Sequence, residues 1–134
     1  MSEAQDTQSL NLDVPDHLEY SQDHVWVDAS GDLALIGITE YAAEQLGELV
    51  YVDFPEPGTH FEAGDELFEL ESSKAVEPLI APVAGIIRYV NQAVSDDPSV
   101  VNGDPYGEGW LLKVELDDDE PDLLSAEEYL KVIR

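Results

Sequence analysis

One stretch holds the residues best suited to carrying a chemical group: Glu71-Ser72-Ser73-Lys74-Ala75-Val76-Glu77-Pro78. Lys74 is one of three lysines in a chain with 31 acidic residues. A lysine places an amine at the end of a flexible four-carbon stem. Acylating that amine removes its charge and lengthens the arm. Ser72, Ser73 and Ala75 are small and leave such an arm room. Glu71 and Glu77 flank it as features a modifying enzyme can read. These residues alone also fit an ordinary exposed lysine that relieves acidic crowding.

Other chemistries have weaker support. The chain has no cysteine, which excludes disulfides, thiolate metal sites and thiol nucleophiles and suits a reducing cytoplasm. His17 and His60 stand isolated, with no metal-ligand spacing. His24 lies two residues from Trp26 and reads as a structural histidine, with contact to an extended arm as the alternative. Asp96-Asp97 and Asp117-Asp118-Asp119-Glu120 lack the calcium-loop pattern and read as solvated acidic loops. Gly103 to Gly109 is rich in turn residues, but no Gly-Lys-Ser/Thr follows, so it is no phosphate loop. No Ser-His-Asp arrangement is supported. No catalytic residue and no metal is assigned.

The lysine needs elements to present it. Asp65 to Leu70 alternates apolar and polar residues, and Leu79 to Gly85 is a second apolar run. Together they predict a β-hairpin with Lys74 at or near its tip. Upstream, Val25–Ala29 and Leu33–Ile38 predict two strands joined by a turn at Ser30-Gly31-Asp32. Thr39 to Leu46 predicts a helix capped by Thr39 and closed by Gly47. Leu49–Phe54, Thr59–Phe61, Gly85–Val90 and Trp110–Leu116 predict further strands. Asp96-Asp97-Pro98 opens a helical turn, and Asn102-Gly103-Asp104-Pro105 reads as a loop. Ser125-Ala126-Glu127-Glu128 is a capping-box pattern that starts a C-terminal helix, with Tyr129, Leu130 and Ile133 facing the body. Residues 1–13 read as a loose N-terminal arm and 14–134 as a single domain.

A short internal repeat supports this organisation. Gly47–Val52 resembles Gly85–Val90, and Gly64-Asp65 resembles Gly103-Asp104. Two similar β-units suggest a pseudo-twofold flattened barrel or sandwich, with the Lys74 hairpin at the crossover.

The net charge of −26 on 134 residues makes nucleic acid an unsuitable partner, since phosphates need clustered Lys and Arg. Self-repulsion of this size opposes compaction in dilute salt. A salt-rich cytoplasm, and so a halophile, is the reading that fits, and a dedicated basic partner is its rival. No apolar run approaches the roughly 20 residues of a membrane span, and no signal peptide opens the chain. A soluble, cytoplasmic protein is expected.

From about residue 18 onward the sequence resembles the H proteins of the glycine cleavage system, a family of lipoyl carriers. The resemblance rests on Asp23-His24-Val25-Trp26-Val27, Gly37-Ile38-Thr39-Glu40-Tyr41-Ala42, Gln45-Leu46-Gly47 and Val52 to Gly58. It continues through Glu71-Ser72-Ser73-Lys74-Ala75, Ala81 to Gly85, Asn91, Asn102 and Asp104-Pro105-Tyr106-Gly107-Glu108-Gly109-Trp110-Leu111. The lysine motif and the Asp-Pro-Tyr-Gly-x-Gly-Trp motif together are highly specific.

The resemblance implies a mainly β fold: a lipoyl/biotinyl-carrier-like flattened β-barrel (barrel-sandwich hybrid) with a short internal helix and a C-terminal helix. It implies lipoate attached to Lys74, with Glu71, Ser72, Ser73 and Ala75 read by the attaching enzyme. It further implies a non-catalytic shuttle among three partners: a glycine decarboxylase (P protein), a tetrahydrofolate-dependent aminomethyltransferase (T protein) and a dihydrolipoyl dehydrogenase (L protein). Two positions depart from the family. Val25 stands where an acidic residue is usual, and Val76-Glu77-Pro78 replaces small polar residues and an Asp. Asp23, His24 and Glu77 are therefore the candidates for a cleft that holds the arm. The other readings are a biotinyl carrier domain, a lipoate-binding protein of another oxidation pathway, and an unmodified interaction domain. The first is weakened because Met usually flanks a biotinylated lysine, and here Ser73 and Ala75 do.

Overall fold

In the computed structural model, residues 12–117 and 122–133 are described. Nine strands and four short helices follow one another among these residues. The strands are β1 (Glu19–Tyr20), β2 (Val25–Asp28), β3 (Ala34–Ile38), β4 (Leu49–Val52), β5 (His60–Phe61), β6 (Glu66–Ser72), β7 (Val76–Ile80), β8 (Gly85–Val90) and β9 (Leu112–Leu116). The helices are α1 (Glu40–Leu46), α2 (Gln92–Asp96), α3 (Ser99–Gly103) and α4 (Ala126–Val132).

The strands form two antiparallel sheets. One has the order β1-β2-β3-β9-β8-β5, the other β4-β6-β7. Alternation explains how each strand is used. In β6, Phe68, Leu70 and Ser72 are buried while Glu66, Glu69 and Glu71 face solvent, the period of two that a half-buried strand requires. The main core draws on both sheets: Ile36, Ile87 and Val114 from the larger, Leu49, Leu70 and Leu79 from the smaller. Burying one such side chain stabilises the fold by roughly 1.5–3 kcal/mol. The fold is a mainly β, lipoyl-carrier-like flattened barrel.

A second cluster joins the chain's two ends. Leu18, Tyr20 and Trp26 pack with Ala126, Tyr129 and Ile133 of the C-terminal helix region. The bridge between Tyr20 and Leu124 leads the chain into α4. There Ser125 Oγ accepts from Glu128 N, and the Glu128 carboxylate accepts from Ser125 N, completing the predicted capping box. Leu12 packs against this cluster, and Asp13 N donates to Glu40 Oε1 at 3.2 Å. Residues 1–11 of the expected arm, and Asp118 to Glu120 of the acidic connector, lie outside the described residues.

Several boundaries differ from the sequence reading. Helix α2 was not expected. Its start is set by Asn91, whose side chain accepts from Ala93 N. Asn102 and Gly103 end α3 rather than forming a loop. The last strand begins at Leu112, not Trp110, because Trp110 and Leu111 are tied elsewhere: Asn91 Nδ2 donates to Trp110 O, and Leu111 N to Ile36 O. The internal repeat maps onto β4 and β8. Each pairs with the strand that follows a Gly-Asp step, β4 with β6 and β8 with β9. The two Gly-Asp steps differ locally, since Gly64 has φ +94 and Gly103 ends a helix.

Candidate functional site

Lys74 sits at the end of the β6–β7 hairpin, exposed, with Ser73 and Ala75 on either side. The hairpin tip is held from within by Ser72. Its Oγ accepts from Lys74 N at 3.2 Å and Ala75 N at 3.0 Å, and donates to Ala75 O at 3.3 Å. Ser72 is 6% exposed. Its small size therefore serves the turn rather than leaving room outside for an arm, as the sequence reading had it. Such side-chain-to-backbone bonds are the usual way a serine fixes a turn.

The tip is also anchored sideways. Ser73 N donates to Glu48 O at 3.1 Å, in the link between α1 and β4. That link is clamped in turn by Asn102, whose Nδ2 donates to Gly47 O at 2.8 Å and whose Oδ1 accepts from Leu49 N at 2.9 Å. Gly47 has φ +81, and a Cβ there would stand 3.2 Å from Lys74 Cε. The positive φ favours a glycine there, and the missing side chain leaves the lysine stem room over it. Sequence reading valued Asn102 only as part of the resemblance. Its role depends on a contact 53 to 55 residues away, which no local pattern reveals.

Beside the hairpin lies a cleft of about 380 Å³, open to solvent. Asp23, His24 and Glu77, the three residues proposed from sequence, all line it. Val25 and Pro78, the two departures, line it as well. Val25 is buried and paired with Ile38 in the floor. Helix α1 supplies one wall through Tyr41, Ala42, Gln45 and Leu46, residues at i, i+1, i+4 and i+5 on one helical face. Sequence reading assigned Tyr41 and Gln45 no part in a cleft. The helical spacing was available as a signal, but the sheet it would face was not.

His24 is drawn out of the chain's ordinary conformation, with φ +68. Its Nδ1 lies 2.8 Å from Tyr129 Oη, and its ring packs on Tyr41 with centroids 4.8 Å apart. Burial holds its pKa below the usual imidazole value, with the nearby Asp23 charge opposing. His24 is thus structural and cleft-lining at once, where the sequence reading posed these as alternatives.

The Asp104-to-Trp110 motif lies elsewhere and serves as a bracket. Trp26 Nε1 donates to Pro105 O at 3.0 Å. Asp104 Oδ2 accepts from Glu108 N at 3.0 Å. Glu40 N donates to Tyr106 Oη at 3.0 Å, tying the bracket to the start of α1. Trp26 is 1% exposed and belongs to the core.

His60 is not isolated, contrary to the sequence reading. Its Nε2 is 3.1 Å from Asp117 Oδ2 and its Nδ1 3.6 Å from Glu62 Oε2. One ligand atom from each lies within 4.8 Å of the others. The pairing is read most simply as a surface ion pair when the imidazole is charged, a weak contribution in water. Among the described residues no helix is long and apolar enough to cross a membrane.

A lysine on a hairpin tip, carried by the smaller sheet of a flattened barrel and set beside a half-apolar cleft, defines the class as lipoyl-carrier-like. Residues 18–134 match the family Glycine cleavage H-protein. A "Glycine cleavage system H protein" of Bifidobacterium longum is 77% identical over 127 residues, covering 95% of this chain and 93% of that one. A "Probable glycine cleavage system H protein" of Haloarcula marismortui is 44% identical, covering 90% and 96%. The crystal structure of a glycine cleavage system H protein from Mycobacterium marinum superposes with a TM-score of 0.83 at 43% identity, covering 88% of this chain and 97% of that one. The chain belongs to the glycine cleavage H-protein family. The expected halophile origin gains no support from these relatives, the 77% match being to Bifidobacterium longum.

Proposed function

We propose that this chain is the lipoyl-bearing shuttle of a glycine cleavage system, with lipoate in amide linkage to Lys74 Nζ. One observation carries the reading: Lys74 is exposed on a braced hairpin tip beside a cleft lined by Asp23, His24 and Glu77. The residues fit the group. The lysine stem runs over a glycine that leaves it space. The cleft offers apolar wall from Val25, Ile38, Leu46 and Leu79, and carboxylates at its rim.

When bound, lipoate supplies a dithiolane that takes up an aminomethyl group as glycine is decarboxylated and is later reoxidised. This chain's own residues do the holding and the presenting. Ser72 and the Glu48 carbonyl keep the tip in one conformation, so an attaching enzyme meets the same surface each time. Glu71 and Ser73 are exposed and available to be read, while Ala75 borders the cleft. Asp23 and Glu77 place negative charge where an amine would dock. Pulling the arm into the cleft shields its cargo from water, and tethering raises its effective concentration at each partner.

The partners under this reading are the glycine decarboxylase, the aminomethyltransferase, the dihydrolipoyl dehydrogenase and the lipoate-attaching enzyme. The chain itself catalyses nothing, and its cysteine-free sequence suits the cytoplasm. Intact mass of the native protein tests the reading, with Lys74→Arg as control. A lipoyl increment that disappears in the variant is expected. A biotinyl increment, or none from a host competent to lipoylate, overturns it. Glycine–bicarbonate exchange with the decarboxylase then separates this pathway from other lipoate-dependent oxidations.

A further inference from the structure

The cleft has a connection to the far end of the chain that its lining alone does not explain. His24 is the one non-glycine residue with positive φ among those described, so its placement is held against a backbone preference. Three bonds hold it. His24 N donates to Ser21 O at 3.2 Å, Thr39 N donates to His24 O at 3.1 Å, and Nδ1 meets Tyr129 Oη at 2.8 Å. Tyr129 comes from α4, is fully buried and stacks on Tyr20 with ring centroids 4.8 Å apart. Its hydroxyl also meets Thr39 Oγ1 at 2.7 Å.

The direction of the protons in this chain is fixed by counting partners. Thr39 Oγ1 accepts from Ala42 N. Its own proton has only Tyr129 Oη to go to among the described residues. Thr39 therefore donates to Tyr129, and Tyr129 donates to His24 Nδ1. A neutral imidazole has one N–H and one acceptor nitrogen, so the His24 proton sits on Nε2. Nε2 has no hydrogen-bond partner among the described residues, and His24 lines the cleft. With Nδ1 protonated, Tyr129 either donates to Thr39 or accepts from both neighbours and leaves its own buried proton unpaired. In the first case the Thr39 proton loses its partner. Either way one hydroxyl proton is unpaired in a fully buried position, which is costly.

We propose that Tyr129 is a positioning residue that locks His24 as a neutral imidazole with its proton on Nε2, so that the cleft offers the loaded arm an N–H donor and no positive charge. The part concerning the arm rests on the lipoyl reading above; the lock itself does not. The groups facing His24 are Asp23 on its own loop, Tyr41 from α1, Tyr129 from α4 and Glu77 on β7 in the same cleft. With His24 neutral, Asp23 and Glu77 set the sign of the cleft, and an amine cargo is attracted. A charged His24 would compete with that cargo for the same carboxylates.

Nitrogen-15 NMR of His24 in the unmodified protein tests the lock, whatever Lys74 carries. The expected result is a single Nε2–H tautomer at neutral pH. In Tyr129→Phe, which keeps the stacked ring, both tautomers should appear and the ring should titrate at higher pH than in the wild type. An Nδ1–H tautomer or an even mixture in the wild type overturns the proposal, as does an unchanged spectrum in the variant. The wild-type measurement stands even where the variant fails to fold. The second readout is the lifetime of the aminomethyl-loaded protein against pH. In Tyr129→Phe the loss of lifetime on acidification should begin at higher pH, with several-fold shorter lifetimes at a mildly acidic pH. Shortening by the same factor at every pH marks simple loss of packing and overturns the positioning role.

Discussion

Ser72 illustrates how a residue two places from Lys74 can matter without touching the group proposed for that lysine. Three of the hydrogen bonds that close the tip run through its hydroxyl. Ser72→Ala should cost about 1–2 kcal/mol, since net contributions near 1 kcal/mol per bond do not add fully. Thermal unfolding reads the loss, and the rate of lipoylation should fall with it because the lysine is presented in more than one conformation. An unchanged rate would show that the attaching enzyme imposes the turn itself. His24 gives a pH prediction of definite sign. Its pKa is lowered by burial, so the folded protein binds fewer protons than the unfolded chain between that lowered value and the ordinary 6.5. The stabilisation is complete above about 6.5 and is lost as pH falls through the lowered value. Urea unfolding of the wild type from pH 7.5 down to 5 should therefore lose more stability than that of His24→Gln, with the carboxylates common to both.

At the scale of elements, α4 does more than close the barrel. Its capping box fixes where the helix starts, and so where Tyr129 stands. Ser125→Ala removes the cap and should cost about 1 kcal/mol. The measurement that distinguishes α4 from an ordinary surface helix is the His24 tautomer, which should become mixed as the helix start frays. This element was legible in the sequence because Ser-x-x-Glu before an apolar face is a local signal. The Lys74 hairpin and α1 were legible for the same reason, with Thr39 and Gly47 at the ends of α1 as expected. The candidate cleft was only half legible. Asp23, His24 and Glu77 came from the resemblance, whereas Tyr41 and Gln45 depend on which sheet α1 faces. Helix α2 escaped because a five-residue helix leaves too little periodicity to read. The His60 cluster escaped because Asp117 stands 57 residues from His60 in the chain.

At the scale of the molecule, the charge of −26 has almost nothing to balance it. Among the described residues Arg88 pairs with Glu115 at 2.6 Å, while Lys113 lies over the rings of Trp110 and Tyr89 at 5.0 and 5.9 Å. The remaining carboxylates repel one another over distances that salt can screen. The screening length shrinks from about 10 Å at 0.1 M to about 3 Å at 1 M. The urea midpoint should therefore rise steadily with KCl over that range, and equal stability at both ends would show that repulsion is not what limits the fold. The same screening acts in the opposite direction on partners. An acidic carrier is steered to a basic docking surface by long-range attraction, which salt removes. Stopped-flow association with the decarboxylase should then slow roughly tenfold or more from 0.05 to 0.5 M KCl, while the carrier itself grows more stable. These opposed slopes decide what the acidity is for. Association that slows steeply assigns the charge to a basic partner. A rate that holds across that range shows that the charge does not steer docking and that the docking contacts are short-range.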